Sequence, residues 1–182
     1  MDSAVADYTA QALISKLIFA HFPSYALVGE EDSADLHSHS QTPLREKIVE
    51  LANESLSTPL PVSEDEERWT SVIQTGKEGC SEKEWLEAID KGDATSTSSG
   101  KVWALDPIDG TKGFLRKGQY AVCLALLQDG KPVLGVMGCP NLPVDYNNPE
   151  GEKGVVFVAE KGQGAFQVRS HLSTICTLVL LC

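Results

Sequence analysis

Two aspartates and a threonine lie together in one short stretch, Asp106-Pro107-Ile108-Asp109-Gly110-Thr111, directly after the apolar run 102–105. The proline ring fixes φ near −65° and removes an amide hydrogen, while the glycine accepts dihedral angles that other residues avoid. Both features favour a sharp turn where a buried strand ends. On such a turn, carboxylates three residues apart can converge on one point, and converging carboxylates need a cation between them. Oxygen ligands of this kind suit Mg²⁺, so the stretch predicts a Mg²⁺ site for phosphate-ester hydrolysis.

The same stretch also fits a purely structural alternative. It would then be a tight strand-to-helix turn in which the side chain of Asp109 or Thr111 caps the helix. Asp-Pro and Asp-Gly pairs are common in turns, so the two acids by themselves favour this alternative.

A second acidic pair follows the apolar segment 25–29, which predicts a short buried strand. This strand delivers Glu30 and Glu31 at its carboxyl end. Ligands in α/β proteins gather outside the carboxyl ends of strands. Spacing alone nevertheless favours the alternative for this pair, two solvated acids on a loop.

The remaining pattern predicts helices first and hairpins later, which indicates an α+β or layered α/β fold. Apolar residues recur at helical spacing over residues 8–22, giving a helix with one buried face and with Asp7 in the N-cap region. Further segments are expected as follows: helices at 43–56 and 82–89, a proline- and acid-rich connector at 59–67, a loop at 92–100, and hairpins at 122–136 and 155–166.

Charge and cysteine content narrow the class of protein. The 182 residues carry a formal net charge of −11, which excludes a general electrostatic attraction to nucleic acid or to an anionic membrane. The five cysteines include no Cys-x-x-Cys pair, so they are expected to be thiols in a reducing compartment. The start of the chain lacks the basic and apolar regions of a signal peptide, and no apolar run is long enough to span a bilayer. A cytoplasmic protein is therefore expected.

A longer run of residues favours a functional role for both acidic pairs over the structural alternatives. Residues 103–116, WALDPIDGTKGFLR, closely resemble the 3′(2′),5′-bisphosphate nucleotidases of the inositol monophosphatase superfamily, whose members are Mg²⁺-dependent and lithium-sensitive. The superfamily shares the element D-P-[IL]-D-[GS]-T. The residues 112–116 and the run 138–142, GCPNL, favour the nucleotidase branch, since inositol monophosphatases more often have T-N-F after the glycine. Matching extends to 5–11 and 28–31, in the order of the family.

The resemblance implies a role for each matched residue. Glu30, Asp106 and Asp109 correspond to carboxylates that bind metal, and Ile108 to a residue that binds metal through its backbone carbonyl. Thr111 and Asp7 correspond to the pair that activates the attacking water. The amides of Gly110 and Thr111, at the start of an expected helix, would cradle a phosphate.

The implied reaction removes the 3′-phosphate of adenosine 3′,5′-bisphosphate and gives AMP and phosphate, a role linked to sulfur assimilation. The substrate partner is thus a small nucleotide bisphosphate, with no nucleic acid or membrane. Two alternatives stay open: an inositol polyphosphate 1-phosphatase, and a non-catalytic fragment that binds metal or phosphate.

The chain also departs from the family pattern. The resemblance implies a later W-D-x-A-[AG]-G element with another metal-ligating Asp, yet the three tryptophans here are followed by Thr, Leu and Ala. We therefore expect residues 1–168 to form an incomplete, N-terminal part of the layered α/β/α/β/α phosphatase fold. Residues 169–182 are expected to be an apolar tail foreign to it. We expect little or no phosphatase activity from this chain alone.

Overall fold

The core of the fold is a six-stranded sheet covered by one buried helix. It is seen in a computed structural model that describes residues 3–57, 79–95 and 99–169. The helices are α1 (Ser3–His21), α2 (Thr42–Ser57), α3 (Glu82–Asp90) and the short α4 (Thr111–Leu115). The strands are β1 (Ala26–Val28), β2 (Lys101–Asp109), β3 (Ala121–Gln128), β4 (Lys131–Pro143), β5 (Lys153–Glu160) and β6 (Gly164–Arg169). Two 3₁₀ turns, Asp35–His37 and His39–Gln41, precede α2. The expectation of a mixed α and β fold is confirmed.

The strands lie side by side in chain order, from β1 to β6. The pair β1 and β2 is parallel, and every following pair is antiparallel. A parallel pair needs a long connection, and here the connection includes α2 and α3. As a result, the carboxyl ends of β1 and β2 point to the same edge of the sheet.

Helix α1 forms a middle layer and not the one-sided surface helix that its sequence predicts. On one side, its residues Ile14 and Ile18 pack with Leu27 and Trp103 of the sheet. On its other side, Leu13 joins the core that α1 shares with α2 and α3. A helix between two layers must be apolar almost all round, so the expectation of a single buried face is wrong.

Strand β2 does not turn after Asp106, as the sequence suggests, but continues to Asp109. Pro107 fits because β1 pairs only with residues 102–104, so that no neighbour on that side needs its missing amide. The ladder with β3 is interrupted between Asp106 and Asp109. The chain turns at Gly110, whose φ of +90° is costly for other residues.

The hairpin predictions are confirmed. Asp129 and Gly130 join β3 to β4 with φ of +52° and +71°, the left-handed pair of a two-residue hairpin turn. The second hairpin joins β5 to β6. The helices predicted at 43–56 and 82–89 are also present, the latter opened by a capping box between Ser81 and Glu84.

Two predicted segments lie outside the described residues: the connector 59–67, and the tail apart from Arg169. No helix in the described part of the chain has both the length and the apolar character needed to cross a membrane.

Candidate active site

Glu30, which follows β1, and Asp106, near the end of β2, come together at one edge of the sheet. Val28 of β1 is the register partner of Ala104 in β2, and each acid follows two residues later. Both acids lie toward the carboxyl ends of neighbouring parallel strands, close enough for the charge of Asp106 to raise the pKa of Glu30. The parallel pairing thus brings together two acids that lie 76 residues apart in the chain.

Asp7 approaches this edge from α1. It is only 8% exposed, and its neighbour Ala6 packs in a small cluster with Ile108 and Tyr120. The sequence placed Asp7 in the N-cap region, but α1 begins at Ser3 and Asp7 lies inside the helix. The helix extends further toward the N-terminus because Val5 and Ala6 are buried, which places its first turn in the core. The prediction of a capping role is therefore wrong.

The carboxyl group of Asp7 is strongly perturbed. Burial raises its pKa from 3.8 to about 7, and the negative charges of Glu31, Glu30 and Asp106 add to this effect. A carboxyl group with a pKa near neutrality can accept or release a proton under physiological conditions.

The carboxyl groups of Glu30 and Asp106 also have raised pKa values. Burial is the largest cause that raises the pKa of each, followed for Glu30 by the charge of Asp106 and for Asp106 by that of Asp109. The two side chains also share a hydrogen bond, which requires a proton between them. Oδ1 of Asp106 is buried without a hydrogen-bond partner among the described residues. This cluster therefore holds more negative charge than its own contacts balance.

Thr111, Ile108 and Gly110 lie where β2 passes into α4. The N-cap of α4 is Gly110, and no side chain caps the helix there. The structural alternative, in which the side chain of Asp109 or Thr111 caps the helix, is therefore wrong. The Thr111 hydroxyl donates to the backbone carbonyl of Ile108 over 3.4 Å. The predicted pairing of this hydroxyl with Asp7 stays a prediction, although α1 and α4 are in contact.

Two thiols lie near the acids, and both are held in the neutral form. Cys123 is opposite Asp106 in the β2–β3 ladder. Burial, with the charges of Asp109 and Asp106, raises its pKa to about 11. Burial and Asp109 likewise raise the pKa of Cys139. Because metal binding by cysteine needs the thiolate, the donors available here are oxygens.

The donor set fits a hard cation in its chemistry. Its oxygens are carboxylates and a backbone carbonyl, the ligands that Mg²⁺ and Ca²⁺ prefer. The unpartnered Oδ1 of Asp106 offers a free lone pair. In the described residues, however, no three acidic, histidine or cysteine side chains already converge closely enough to form a metal site. Binding would thus require Glu30, Asp106 and Asp109 to draw closer together.

Sequence reasoning assigned no role to two contributors to this site, although both lie in matched runs. The first is Glu31, an acid shortly after β1. It is hydrogen-bonded to Tyr8, and burial with the charge of Glu31 raises the pKa of that phenol to about 12. The second is Gln11, which is completely buried four residues after Asp7. A polar residue at a core position of a helix is the signal that could have drawn attention to it.

An open, mostly apolar groove of about 1000 Å³ lies beside the acids. Glu30 and Asp106 are part of its lining, together with apolar side chains of β3 to β6 such as Met137 and Phe157.

Comparison with known proteins gives a consistent result. A 3′(2′),5′-bisphosphate nucleotidase of Schizosaccharomyces pombe is 40% identical over 168 residues, which cover 92% of this chain and 44% of that protein. 3′(2′),5′-Bisphosphate nucleotidase 1 of Arabidopsis thaliana is 41% identical over 171 residues, which cover 89% of this chain and 45% of that protein. The chain thus spans less than half the length of these curated relatives.

A solved staphylococcal inositol monophosphatase-1, from crystals soaked in LiCl, aligns with 89% of this chain and 36% of its own at 19% identity and a TM-score of 0.44. The sequence model of the inositol monophosphatase family matches residues 3–176. This match extends over nearly the whole chain, and the chain therefore belongs to the inositol monophosphatase family.

Proposed function

We propose that the protein is a Mg²⁺-dependent phosphatase that removes the 3′-phosphate of adenosine 3′,5′-bisphosphate, giving AMP and phosphate. The observation that carries the proposal is the closeness of Glu30, just after β1, to Asp106 of the parallel strand β2, with the pKa of both raised. No ion pair among the described residues involves either acid. The names of the similar nucleotidases support the choice of reaction.

In this proposal, Glu30, Asp106 and Asp109 hold the metal together with the carbonyl oxygen of Ile108. When bound, Mg²⁺ would lower the pKa of a water molecule and neutralise charge on the phosphate. The unpartnered Oδ1 of Asp106 and the repulsion of Asp106 by the charge of Asp109 support this assignment, because a cation would relieve both.

Asp7 and Thr111 move the proton. The Thr111 hydroxyl accepts a proton from the attacking water as it passes its own to the carboxylate of Asp7. The water oxygen then bonds to phosphorus, and the bond from phosphorus to the 3′ oxygen breaks. The leaving oxygen takes up a proton from solvent water and becomes the 3′-hydroxyl of AMP. Asp7 then releases the proton that it received to solvent, which restores its carboxylate.

The phosphate would lie against the start of α4, where we assign the amides of Gly110 and Thr111 to it. The left-handed conformation of Gly110 supports this placement, because it redirects the chain directly after the acidic end of β2. The apolar groove beside Glu30 offers room for the nucleoside part of the substrate.

An inositol polyphosphate 1-phosphatase remains the alternative within the family. Residues 112–116 and 138–142 favour the nucleotidase, as the sequence resemblance implies. Competing adenosine 3′,5′-bisphosphate against inositol 1,4-bisphosphate at equal concentrations decides between them. The proposal requires the nucleotide to be hydrolysed at least about ten times faster, a difference of roughly 1.4 kcal/mol in the barrier.

Phosphate release from adenosine 3′,5′-bisphosphate tests the reaction itself, with the chain in excess over substrate so that slow turnover is visible. We expect release that requires Mg²⁺ and is abolished by Asp106→Asn. Turnover should be low, because the 182 residues contain no Trp-Asp pair to supply the further ligand that the resemblance implies.

Metal binding measured in parallel separates this proposal from the non-catalytic alternative. Binding of Mg²⁺ without any phosphate release would favour a metal-binding fragment. Absence of binding by the parent chain, or equal binding by Asp106→Asn, would reject the proposed metal site and with it the proposed reaction.

A further inference from the structure

The side-chain amide of Gln11 is surrounded by backbone groups and uses its full hydrogen-bonding capacity. Its Oε1 accepts from the amide of Glu30 at 3.0 Å and from the amide of Glu31 at 2.9 Å. Its Nε2 donates to the carbonyl of Glu31, and to the carbonyl of Ile89 at 3.1 Å. The residue has no exposed surface, so each bond is made where water cannot replace it.

These bonds join three separate segments at one point. Gln11 lies one helical turn after Asp7 on α1. Its partners in the Glu30–Glu31 segment, two amides and one carbonyl, follow β1, and Ile89 lies in the last turn of α3. The acidic segment thus takes its position from the same helix that carries Asp7.

Two glycines leave the space that the amide occupies. A Cβ atom at Gly29 would lie 2.5 Å from Oε1 of Gln11, and a Cβ at Gly92 would lie 2.8 Å from its Nε2. The backbone amide of Gly29 also donates to the carbonyl of Gly92 at 2.8 Å. The backbone at Gly29 and Gly92 therefore packs directly against the Gln11 side chain.

We propose that Gln11 is the positioning residue that holds Glu30 beside Asp106 and thereby sets the affinity of the acidic cluster for a divalent cation. This inference rests on the proposed function, since the cation site is part of it. Only a carboxamide offers two donors and two acceptors in one plane. It also binds the Glu30–Glu31 backbone without adding a charge to a cluster that is already strongly negative. Residues that orient metal ligands contribute to affinity without touching the metal.

The chain contains a matched control in Asn53 of α2. Its Oδ1 accepts from the amide of Cys80 at 2.7 Å, and its Nδ2 donates to the carbonyl of the same residue at 3.0 Å. Oδ1 also accepts from the indole of Trp85 at 3.2 Å. Asn53 thus fixes a loop to a helix in the same way, but this loop carries none of the proposed ligands.

The test compares Gln11→Met with Asn53→Leu, two changes that keep side-chain size and remove the hydrogen bonds. Hydrogen exchange in the metal-free chain reports the backbone, and the EPR signal of free Mn²⁺ reports cation affinity. For Gln11→Met we expect faster exchange at Glu30 and Glu31, and a dissociation constant for Mn²⁺ raised about 10- to 100-fold. For Asn53→Leu we expect faster exchange at Cys80, and Mn²⁺ affinity within about threefold of the parent at a similar loss of thermal stability.

A second variant disturbs the same hydrogen bonds without changing Gln11 itself. In Gly29→Ala, the new methyl group would push the flexible carboxamide aside. We expect the same loss of Mn²⁺ affinity, so the inference is tested even if Gln11→Met fails to fold. Parental affinity in a folded Gln11→Met or Gly29→Ala variant overturns the inference and leaves the proposed function intact. An equal loss in Asn53→Leu overturns it too, because the effect would then be one of general stability. A parent chain that binds Mn²⁺ no better than Asp106→Asn overturns the proposed function, and this inference with it.

Discussion

The hydroxyl group of Thr111 donates a hydrogen bond to the backbone carbonyl of Ile108 over 3.4 Å. This contact connects the first residue of α4 to the end of β2. The Thr111 hydroxyl, a candidate proton acceptor, therefore lies beside the Ile108 carbonyl, a candidate metal ligand. The distance is longer than that of a typical O–H···O bond. A hydroxyl held this loosely can rotate to another acceptor, which the proposed transfer to Asp7 requires.

Replacing Thr111 by valine should therefore affect the reaction and leave metal binding almost unchanged. The two side chains have the same shape, and the only bond lost is a long one. We expect the rate of phosphate release to fall on the order of 10²- to 10⁴-fold, as when a general acid–base group is removed. Single-turnover assays and Mn²⁺ titration measure the two quantities separately.

Thr111→Ser is the control for this prediction, because it keeps the hydroxyl and removes only a methyl group. It should retain most of the parental rate. If the serine variant were as slow as the valine variant, the methyl group and not the hydroxyl would be the important part of Thr111.

Asp106→Asn should make the metal-free chain more stable while it abolishes metal binding. Burial and the charge of Asp109 disfavour the ionised form of Asp106, and the charge of Asp106 in turn disfavours the ionised form of Glu30. Removing one charge relieves this repulsion, and we expect a gain of roughly 0.5–2 kcal/mol in the free energy of unfolding. Urea unfolding in EDTA gives this number. A loss of stability would mean that the acid has a mainly structural role.

Asp7 should make the stability of the metal-free chain fall as the pH rises from about 4 to about 7. Its pKa is 3.8 when unperturbed and about 7 in the fold, so the folded state binds the proton more tightly across this interval. The stabilisation from this proton is complete below pH 4 and is lost as the pH passes 7. We expect a contribution of roughly 2 kcal/mol, discounted for the solvent that still reaches the cluster.

The matching measurement is urea unfolding of the parent and of Asp7→Asn in EDTA, at pH 5 and pH 8. The difference in stability between the two pH values should be smaller in the variant by about this amount. Equal pH dependence in both proteins would show that other groups carry the effect.

Gly113→Ala should strongly destabilise the turn that positions Thr111. A Cβ atom at Gly113 would lie 1.8 Å from the carbonyl oxygen of Gln119, a clash with backbone that cannot move aside easily. Overpacking of this kind costs about 1–3 kcal/mol or more. Gly135→Ala is the control, because a Cβ in that strand meets nothing within 4 Å. Thermal unfolding of both variants should show a large loss only for Gly113→Ala.

The local parts of the fold could be predicted because local rules govern them. Asp129 and Gly130 adopt the left-handed angles that a two-residue hairpin requires, and this pair marks the turn in the sequence. The helix 82–90 follows from the capping residues Ser81 and Glu84. The course of β2 beyond Pro107 was not predictable in this way. It depends on where β1 ends, and strand pairing between distant segments leaves no mark in local sequence.

For the site, the sequence by itself determined the inventory of functional groups. Residues 106–111 and the acids at 30 and 31 are present in the chain whatever its fold, and their chemistry predicts a site with oxygen ligands. Tertiary structure alone decided how these groups meet. The parallel pairing of β1 and β2 brings Glu30 close to Asp106, burial in α1 raises the pKa of Asp7, and the amide of Gln11 fixes the Glu30–Glu31 segment. Each of these depends on distance and on exclusion of water, two quantities that exist only after the chain has folded.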